Sequence, residues 1–486
     1  MTDFGDYVPE LSRAETNPLF VQIARAIAAD IRRGRLTSRA RLPGSRELGK
    51  RLGAHRNTVL AAYAELEQEG WIRTEPARGT FVAEVLPEQR PRRFKAPEPP
   101  RLRPLELAPL TLPEVGVVPK GALPLLAGMP DARLMPRAEL ARAYRRVLRR
   151  DTHTLDYGSP FGDPKLVSAL AQLLGPARGV VAGERELVVT RGSQMALHLA
   201  ARALCRSGDV IAVEAFGYPP AWEGFRLAGA ELAAVPVDRA GLKLDALEQL
   251  AKTSRLRAVY VTPHHQYPTT VTMTAPRRLA LLALAERHGF LILEDDYDHE
   301  FHWAGRPVLP LASADPGRVV VYVGTLSKVL APGIRVGYLV ARREIAERVA
   351  KLRTFLDRQG DHAVERAIAE LIEDGELERH AKRASRAYLQ RRETLVECLQ
   401  RDFGDDLRFE LPAGGLALWV RVRLKLGAER LTELAQERGV LIQNARRFAF
   451  DGRSREFLRL GFPALEPAEI RRAVRTLRAI VSDEPA

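Results

Sequence analysis

Between Pro87 and Pro136 twelve prolines fall within 50 residues, and this stretch constrains the fold more than any other feature of the chain. Proline lacks an N–H and holds φ near one value, so a run this dense sustains neither a helix nor a central strand and reads as a semi-extended linker. Arg92, Arg93 and Lys95 make it basic as well. It divides a chain of 486 residues, already too long for one ordinary core, into a short N-terminal and a long C-terminal part. The expected domains are residues 12–84, a Pro/Arg-rich linker over 85–124, and residues 125–486.

Composition excludes several classes. No apolar run approaches the ~20 residues needed to cross a bilayer, and the opening segment MTDFGDY is acidic, without an apolar signal stretch. Cys205 and Cys398 are the only cysteines, too few for a disulfide framework and consistent with a reducing compartment. A cytoplasmic protein with no membrane partner is expected. The net charge of +14 suits a polyanionic partner, and its distribution is sharper than its total. Residues 31–60 hold nine Lys or Arg against one acid, Glu47.

Leu19, Ile23, Ile27 and Ile31 recur every four residues, the spacing of one helix face, in a stretch ending at Gly34. Ser45 is placed to cap a short helix carrying Leu48 and Leu52 that stops at Gly53. A third helix starts near Arg56, with Val59, Tyr63 and Leu66 inward. Trp71–Thr74 and Thr80–Val82 read as a hairpin around Pro76-Ala77-Arg78-Gly79. Three helices and a two-stranded wing make a winged helix-turn-helix. In that motif the third helix enters the major groove, so His55, Arg56, Asn57 and Thr58 in its first turn are the expected DNA readers. Arg46, and Arg78 with Gly79 at the wing tip, are expected at the backbone or minor groove. A solvated basic face is the alternative. The segments LFVQIARAIAADIRRG, RLPGSRELGKRLG, HRNTVLAAYAELEQEGWI and RGTFV resemble the GntR-type winged helix, in that order, with Ser38-Arg39 in place of the usual Pro-Gly.

Beyond the linker, short apolar runs (Glu186–Thr190, Ala258–Thr262, Phe290–Glu294, Val319–Val323) alternate with helical segments, the pattern of an α/β domain with a mainly parallel sheet. Residues 342–400 read as helical and charged, and a smaller α+β subdomain follows with strands at Leu416–Val422 and Phe457–Phe462.

Lys328 lies just past the Val319–Val323 strand in Gly324-Thr325-Leu326-Ser327-Lys328, where a primary amine can form a Schiff base if its surroundings favour the neutral form. Arg335, seven residues on, is a forked cation suited to phosphate. The strand ending at Thr190 runs into Arg191-Gly192-Ser193-Gln194 and a helix, which sets backbone N–H groups and a hydroxyl at a helix N-terminus. The Phe290–Leu293 run delivers Glu294-Asp295-Asp296-Tyr297-Asp298; a carboxylate there can keep a pyridine nitrogen protonated, and Tyr297 can bond a ring oxygen. Tyr218 in Phe216-Gly217-Tyr218-Pro219 is placed to stack on a ring face.

Together these pieces resemble fold-type I, aspartate-aminotransferase-like enzymes that use pyridoxal 5′-phosphate (PLP), over roughly residues 125–480. EDDYDHEF, VTPHHQYPTTVTM, GTLSKVLAPGIRVGYLVA and ELERHAKRASRAYLQRRETL resemble the regulator subgroup named MocR or GabR-like. The resemblance implies that Lys328 is the aldimine lysine, that Asp295 pairs with the pyridine nitrogen and Tyr297 with O3′, and that Ser193, Gln194, Thr325, Ser327 and Arg335 serve the phosphate. It further implies that Tyr157 reaches the cofactor phosphate of a second subunit, hence a homodimer, and that Arg459 grips a substrate carboxylate. Two departures stand out: Thr270 occupies a usual glycine position, and Ala215-Phe216 replaces the commoner acid-proline.

The fold expected is therefore α/β, a winged helix-turn-helix joined to a fold-type I PLP domain with a small C-terminal α+β subdomain. The function expected is a DNA-binding transcription regulator that senses PLP or an amino-bearing effector through Lys328. An active aminotransferase with an accessory DNA-binding domain is the alternative, and turnover stays open. No metal is expected: His299 and His302 are three apart, whereas a zinc-binding HExxH helix needs four. An acid cluster for magnesium lacks any accompanying P-loop.

Overall fold

The computed structural model describes residues 6–11, 17–87, 118–126, 128–150, 152–305 and 308–483. The chain divides into two compact units, Met1–Glu114 and Val115–Ala486. The greater part of the expected linker, residues 88–117, lies outside the described residues.

In the first unit, α1 (Leu19–Arg32), α2 (Ser45–Leu52) and α3 (Arg56–Gln68) are followed by β1 (Ile72–Glu75) and β2 (Gly79–Val82), which pair antiparallel with Ile72 opposite Val82. The four-residue apolar spacing of α1 buries Ile23, Ile27 and Ile31 against Leu48, Val59 and Leu66. Gly53 ends α2 at φ +63, a left-handed turn that glycine adopts without steric cost. Gly49 has its own reason: a Cβ there would stand 3.0 Å from the carbonyl oxygen of Ala54, so only a bare backbone lets the two helices approach. The expected Ser45 cap is corrected. Gly44 is the N-cap, no side chain bonds there, and Ser45 is already helical. Tyr63 Oη donates to the Pro43 carbonyl (2.8 Å), which fixes the chain one residue earlier. The cap that does form is His55, whose Nδ1 accepts from Asn57 N at 3.3 Å.

In the second unit, β3 (Leu123–Pro124), at the end of the proline-rich stretch, precedes α4 (Arg137–Arg150) and α5 (Pro164–Arg178). The sheet strands are β4 (Leu187–Thr190), β5 (Val210–Glu214) and β6 (Glu231–Val235), then, past a small hairpin of β7 (Val237–Asp238) and β8 (Gly241–Leu242), β9 (Leu256–Val261), β10 (Leu291–Asp296), β11 (Val320–Thr325) and β12 (Gly337–Val340). Between them run α6 (Ser193–Leu204), α7 (Pro219–Leu227), α8 (Leu244–Thr253) and α9 (Ala275–His288). Seven strands pair in the order β4-β12-β11-β10-β9-β5-β6. All are parallel to their neighbours except β12, which runs antiparallel to both β11 and β4. The central strands bury almost every residue, as a sheet covered on both faces requires.

The helices α10 (Arg343–Leu356), α11 (His362–Glu373) and the 28-residue α12 (Glu376–Phe403) lead to the smaller subdomain. There β13 (Leu407–Phe409), β14 (Ala417–Val422), β16 (Gln443–Asn444) and β17 (Phe457–Gly461) form an antiparallel sheet in the order β13-β14-β17-β16, backed by α12, α13 (Gly427–Glu437) and α14 (Pro467–Asp483). The short β15 (Val440–Leu441) pairs with β3, so Leu123 and Pro124 belong to this subdomain's packing. Among the described residues no helix is long and apolar enough to cross a membrane.

Leu66 is fully buried in the core of the first unit. Leu66→Ala removes its packing and leaves a cavity, and is expected to lower that unit's stability by about 3 kcal/mol. Chemical denaturation followed by fluorescence of Trp71, buried in the same core, measures the loss.

Candidate functional site

Parallel strands deliver their C-terminal ends to one edge of a sheet, and the chemistry-bearing residues of the second unit gather there. Asp295 and Asp296 end β10, Lys328 lies in the turn after β11, and Ser193 opens α6 after β4. Tyr218 caps α7 after β5.

Lys328 Nζ donates to the carbonyl of Gly128 at 2.7 Å. Gly128 sits at φ +70, and a Cβ there would come within 3.0 Å of that nitrogen, so glycine keeps the amine's surroundings clear. Burial pushes the Lys328 amine down to about 8, against the opposing pull of Asp295 and Asp298. Asp295 is buried; burial, with Asp296 adding to it, pushes its carboxyl up to about 7 although the hydrogen bond from Tyr260 acts the other way. Tyr260 Oη donates to Asp295 Oδ2 (2.9 Å), and Asp295 Oδ1 has no partner among the described residues. An orphaned buried carboxylate oxygen needs an explanation, and a protonated ring nitrogen supplies one.

Arg335, at φ +54, turns its guanidinium toward the start of α6: Nη2 donates to the Arg191 carbonyl at 2.7 Å. Gly192, at φ +82, faces that guanidinium so closely that a Cβ would stand 3.1 Å from it. Ser193 and Gln194 are the first residues of α6, half-buried and exposed respectively, with free backbone N–H groups at a helix N-terminus beside a fixed cation. Thr325 and Ser327 are buried; Thr325 Oγ1 accepts from Ser327 N (3.1 Å) and braces the turn that carries Lys328. The donor set suits a phosphate monoester.

Arg459, on β17, is fully buried; Nη1 donates to the Pro268 carbonyl at 2.5 Å, while Nε and Nη2 have no hydrogen-bond partner among the described residues. Its guanidinium lies 4.2 Å over the Tyr267 ring. Edge-to-face contacts join Tyr267 to Tyr218 (5.3 Å between ring centres), to Tyr297 (6.0 Å) and to Phe448 (5.5 Å), and Trp419 continues the wall to Phe216. A forked cation with two unmet nitrogens beside an aromatic wall can take a carboxylate. Tyr297 Oη donates to the His265 carbonyl (2.9 Å). Thr270, the departure from glycine, holds φ +64, a strained conformation for a β-branched residue. Tyr157 is 81% exposed, with Arg358 stacked 4.4 Å over its ring.

In the first unit, His55, Arg56 and Asn57 are exposed on the first turn of α3, and Thr58 is half-buried. Arg46 is exposed on α2. Arg78 is exposed at the wing tip, paired with Glu75 at 2.6 Å, next to Gly79 at φ +117. Sequence reasoning missed Arg41, whose guanidinium packs against Gly79 and adds a second cation to the wing. It also missed Tyr260 and Gly128; burial on a central strand and a distant loop leave no local signal for either.

The lowered amine of Lys328 has a measurable consequence. The ammonium form is not nucleophilic, so acylation of Lys328 by a small reagent should rise with pH through about 8 rather than through the ordinary 10.5. Asp295→Asn removes a charge that favours the ammonium and should move the inflection lower still. Peptide mass spectrometry across a pH series reads both, and an inflection near 10.5 would contradict the burial argument.

The model of "Aminotransferase class I and II" matches residues 128–477, and that of "Bacterial regulatory proteins, gntR family" matches residues 19–82. The chain is 30% identical to the probable rhizopine catabolism regulatory protein MocR of Rhizobium meliloti over 96% of its own length and 95% of that protein's. It is 32% identical to the HTH-type transcriptional regulator TauR of Rhodobacter capsulatus over 94% and 96%. Among solved structures, the α-aminoadipate aminotransferase LysN of Thermus thermophilus, complexed with N-(5′-phosphopyridoxyl)-L-leucine, is similar with a TM-score of 0.69 and 29% identity, covering 75% of this chain and 92% of that one. Since both halves match in the order that two full-length regulators share, the chain belongs to the MocR-type transcription regulators, in which a GntR winged helix is joined to a class I and II aminotransferase domain.

Proposed function

We propose that this regulator binds operator DNA through α2, α3 and the wing, and that its second unit holds PLP and senses PLP itself or an amino-bearing effector at Lys328. One observation carries the reading: the depressed amine of Lys328 shares its surroundings with buried polar atoms that have no hydrogen-bond partner among the described residues, Asp295 Oδ1 and the Nε and Nη2 of Arg459. When bound, PLP supplies an aldehyde that condenses with primary amines and a ring that withdraws electrons once protonated. Lys328 provides the competing amine, and Asp295 holds the proton at the ring nitrogen. Tyr297 stands by the ring oxygen and Tyr218 by the ring face. Ser193, Gln194, Thr325, Ser327 and Arg335 hold the phosphate. Arg459 orients an effector's carboxylate so that its amino group reaches the position Lys328 occupies. An effector amine competing with Lys328 would leave that side chain free, and an effector that prefers one state of the domain shifts the population toward it. The exposed Tyr157 fits a role across a homodimer interface, reaching a second subunit's phosphate site.

At the DNA, Arg56 and Asn57 read base edges from α3, with His55 and Thr58 beside them. Arg46, Arg78 and Gly79 contact the backbone or minor groove. A second reading, amino transfer between an amino acid and a 2-oxo acid, is favoured by the likeness to LysN; sustained turnover measured by 2-oxo acid formation would establish it.

The test uses the full chain and genomic DNA fragments selected by it. Fluorescence anisotropy should show affinity changing when PLP, or PLP with an amino acid, is added to the wild type. Lys328→Ala should bind the same fragments with no such change. Arg56→Ala should weaken binding about tenfold or more at fixed salt in every ligand state. Identical ligand responses in the wild type and Lys328→Ala would defeat sensing at that lysine.

A further inference from the structure

Four histidines crowd one flank of the cofactor pocket, and their spacing in the chain hides it. His264 and His265 follow β9, whereas His299 and His302 follow β10. The helical spacing that excluded a metal at His299 and His302 does not apply, because residues 299 and 300 form a turn and no helix carries them.

One ligand nitrogen from each of His264, His265 and His302 lies within 4.8 Å of the other two. The neighbours of two of these rings determine which nitrogen carries the proton. His265 Nδ1 stands 2.8 Å from Asp298 Oδ1, so its proton is held there and Nε2 is left as a bare lone pair. His302 Nε2 stands 2.5 Å from the carbonyl of Ala304, which can only accept, so Nδ1 is the lone pair. Both lone-pair nitrogens are buried with no partner among the described residues. His264 is buried, and neither of its ring nitrogens has a partner among the described residues. Gly414 packs against His265 so closely that a Cβ would stand 2.2 Å from Nε2 and cover it.

Buried imidazole nitrogens without partners are costly, and three such rings within reach of one another call for an electron-pair acceptor. We propose that His264, His265 and His302 bind a divalent transition-metal ion of the zinc, cobalt or nickel class. Imidazole nitrogens are donors that such ions favour. Asp298, by orienting His265, fills the supporting role of a carboxylate behind a metal-bound histidine. Three protein ligands leave a coordination position open, as in sites that also take water or a small ligand. Asp296 and Asp298 supply compensating negative charge nearby. The other grouping, His264 with Asp296 and His299, is the weaker set. Asp296 Oδ2 already accepts from Tyr322 Oη at 2.7 Å and lies 3.0 Å from His299 Nδ1 and 3.5 Å from Arg178. This site stands independently of the PLP and DNA readings. It adjoins the pocket, however, since Tyr297 bonds the backbone of His265.

The test takes the full-length chain without an affinity tag, strips it with a chelator and dialyses it against Zn²⁺, with metal counted by mass spectrometry. Co²⁺ titration, followed by its visible ligand-field bands, reads the affinity. One ion per chain is expected, and His302→Gln, at a half-exposed position that tolerates substitution, should weaken binding at least about tenfold. His299→Asn should bind as the wild type does. Zn²⁺ should raise the melting temperature of the wild type and leave that of His302→Gln unchanged, while the two metal-free proteins melt alike. The proposal is overturned by the absence of stoichiometric binding, by equal affinity in His302→Gln and wild type, or by loss of binding in His299→Asn with His302→Gln intact.

Discussion

The second unit depends on one geometric constraint: parallel strands end at the same edge of their sheet. From that edge the turns after β4, β5, β9, β10 and β11 reach a common space, and residues scattered from position 190 to 330 become neighbours. The reversal of β12 serves the same end. Lying between β4 and β11, it places Gly337 against the backbone of Gly192 and Ser193, so the start of α6 is held beside the turn that bears Lys328.

Inside that space polar groups are buried faster than they are satisfied. Asp296 is met by Tyr322 and Arg178, and Glu294 by the backbone N–H groups of Leu311 and Ala312. These are structural pairings. Asp295 Oδ1, two nitrogens of Arg459 and ring nitrogens of His264, His265 and His302 have no partner among the described residues. Buried groups of this kind cost stability unless something binds them, and here they sort by chemistry into a carboxyl, a guanidinium and a cluster of imidazole nitrogens.

Much of this was legible in the chain itself. The four-residue spacing from Leu19 to Ile31 marked α1, and the glycine at 53 marked the turn before α3. Strand runs at Phe290–Glu294 and Val319–Val323 set Asp295 and Lys328 just past strand ends. Legibility ended where partners come from afar. Tyr260, Gly128 and the pairing of β3 with β15 depend on tertiary contacts, and the small shift of the α2 cap depends on Tyr63 reaching back to Pro43. The proximity of the four histidines was hidden for the same reason. Their spacing was read along a helix that does not exist, while two of them come from another strand.

The central claim is that Lys328, among the chain's lysines, is the amine to which PLP attaches. Borohydride reduction of the PLP-loaded full chain, followed by peptide mass spectrometry, tests it most directly. A pyridoxyl group on Lys328 alone, lost in Lys328→Ala, is the predicted result. A label spread over surface lysines, or unchanged in that variant, would contradict it.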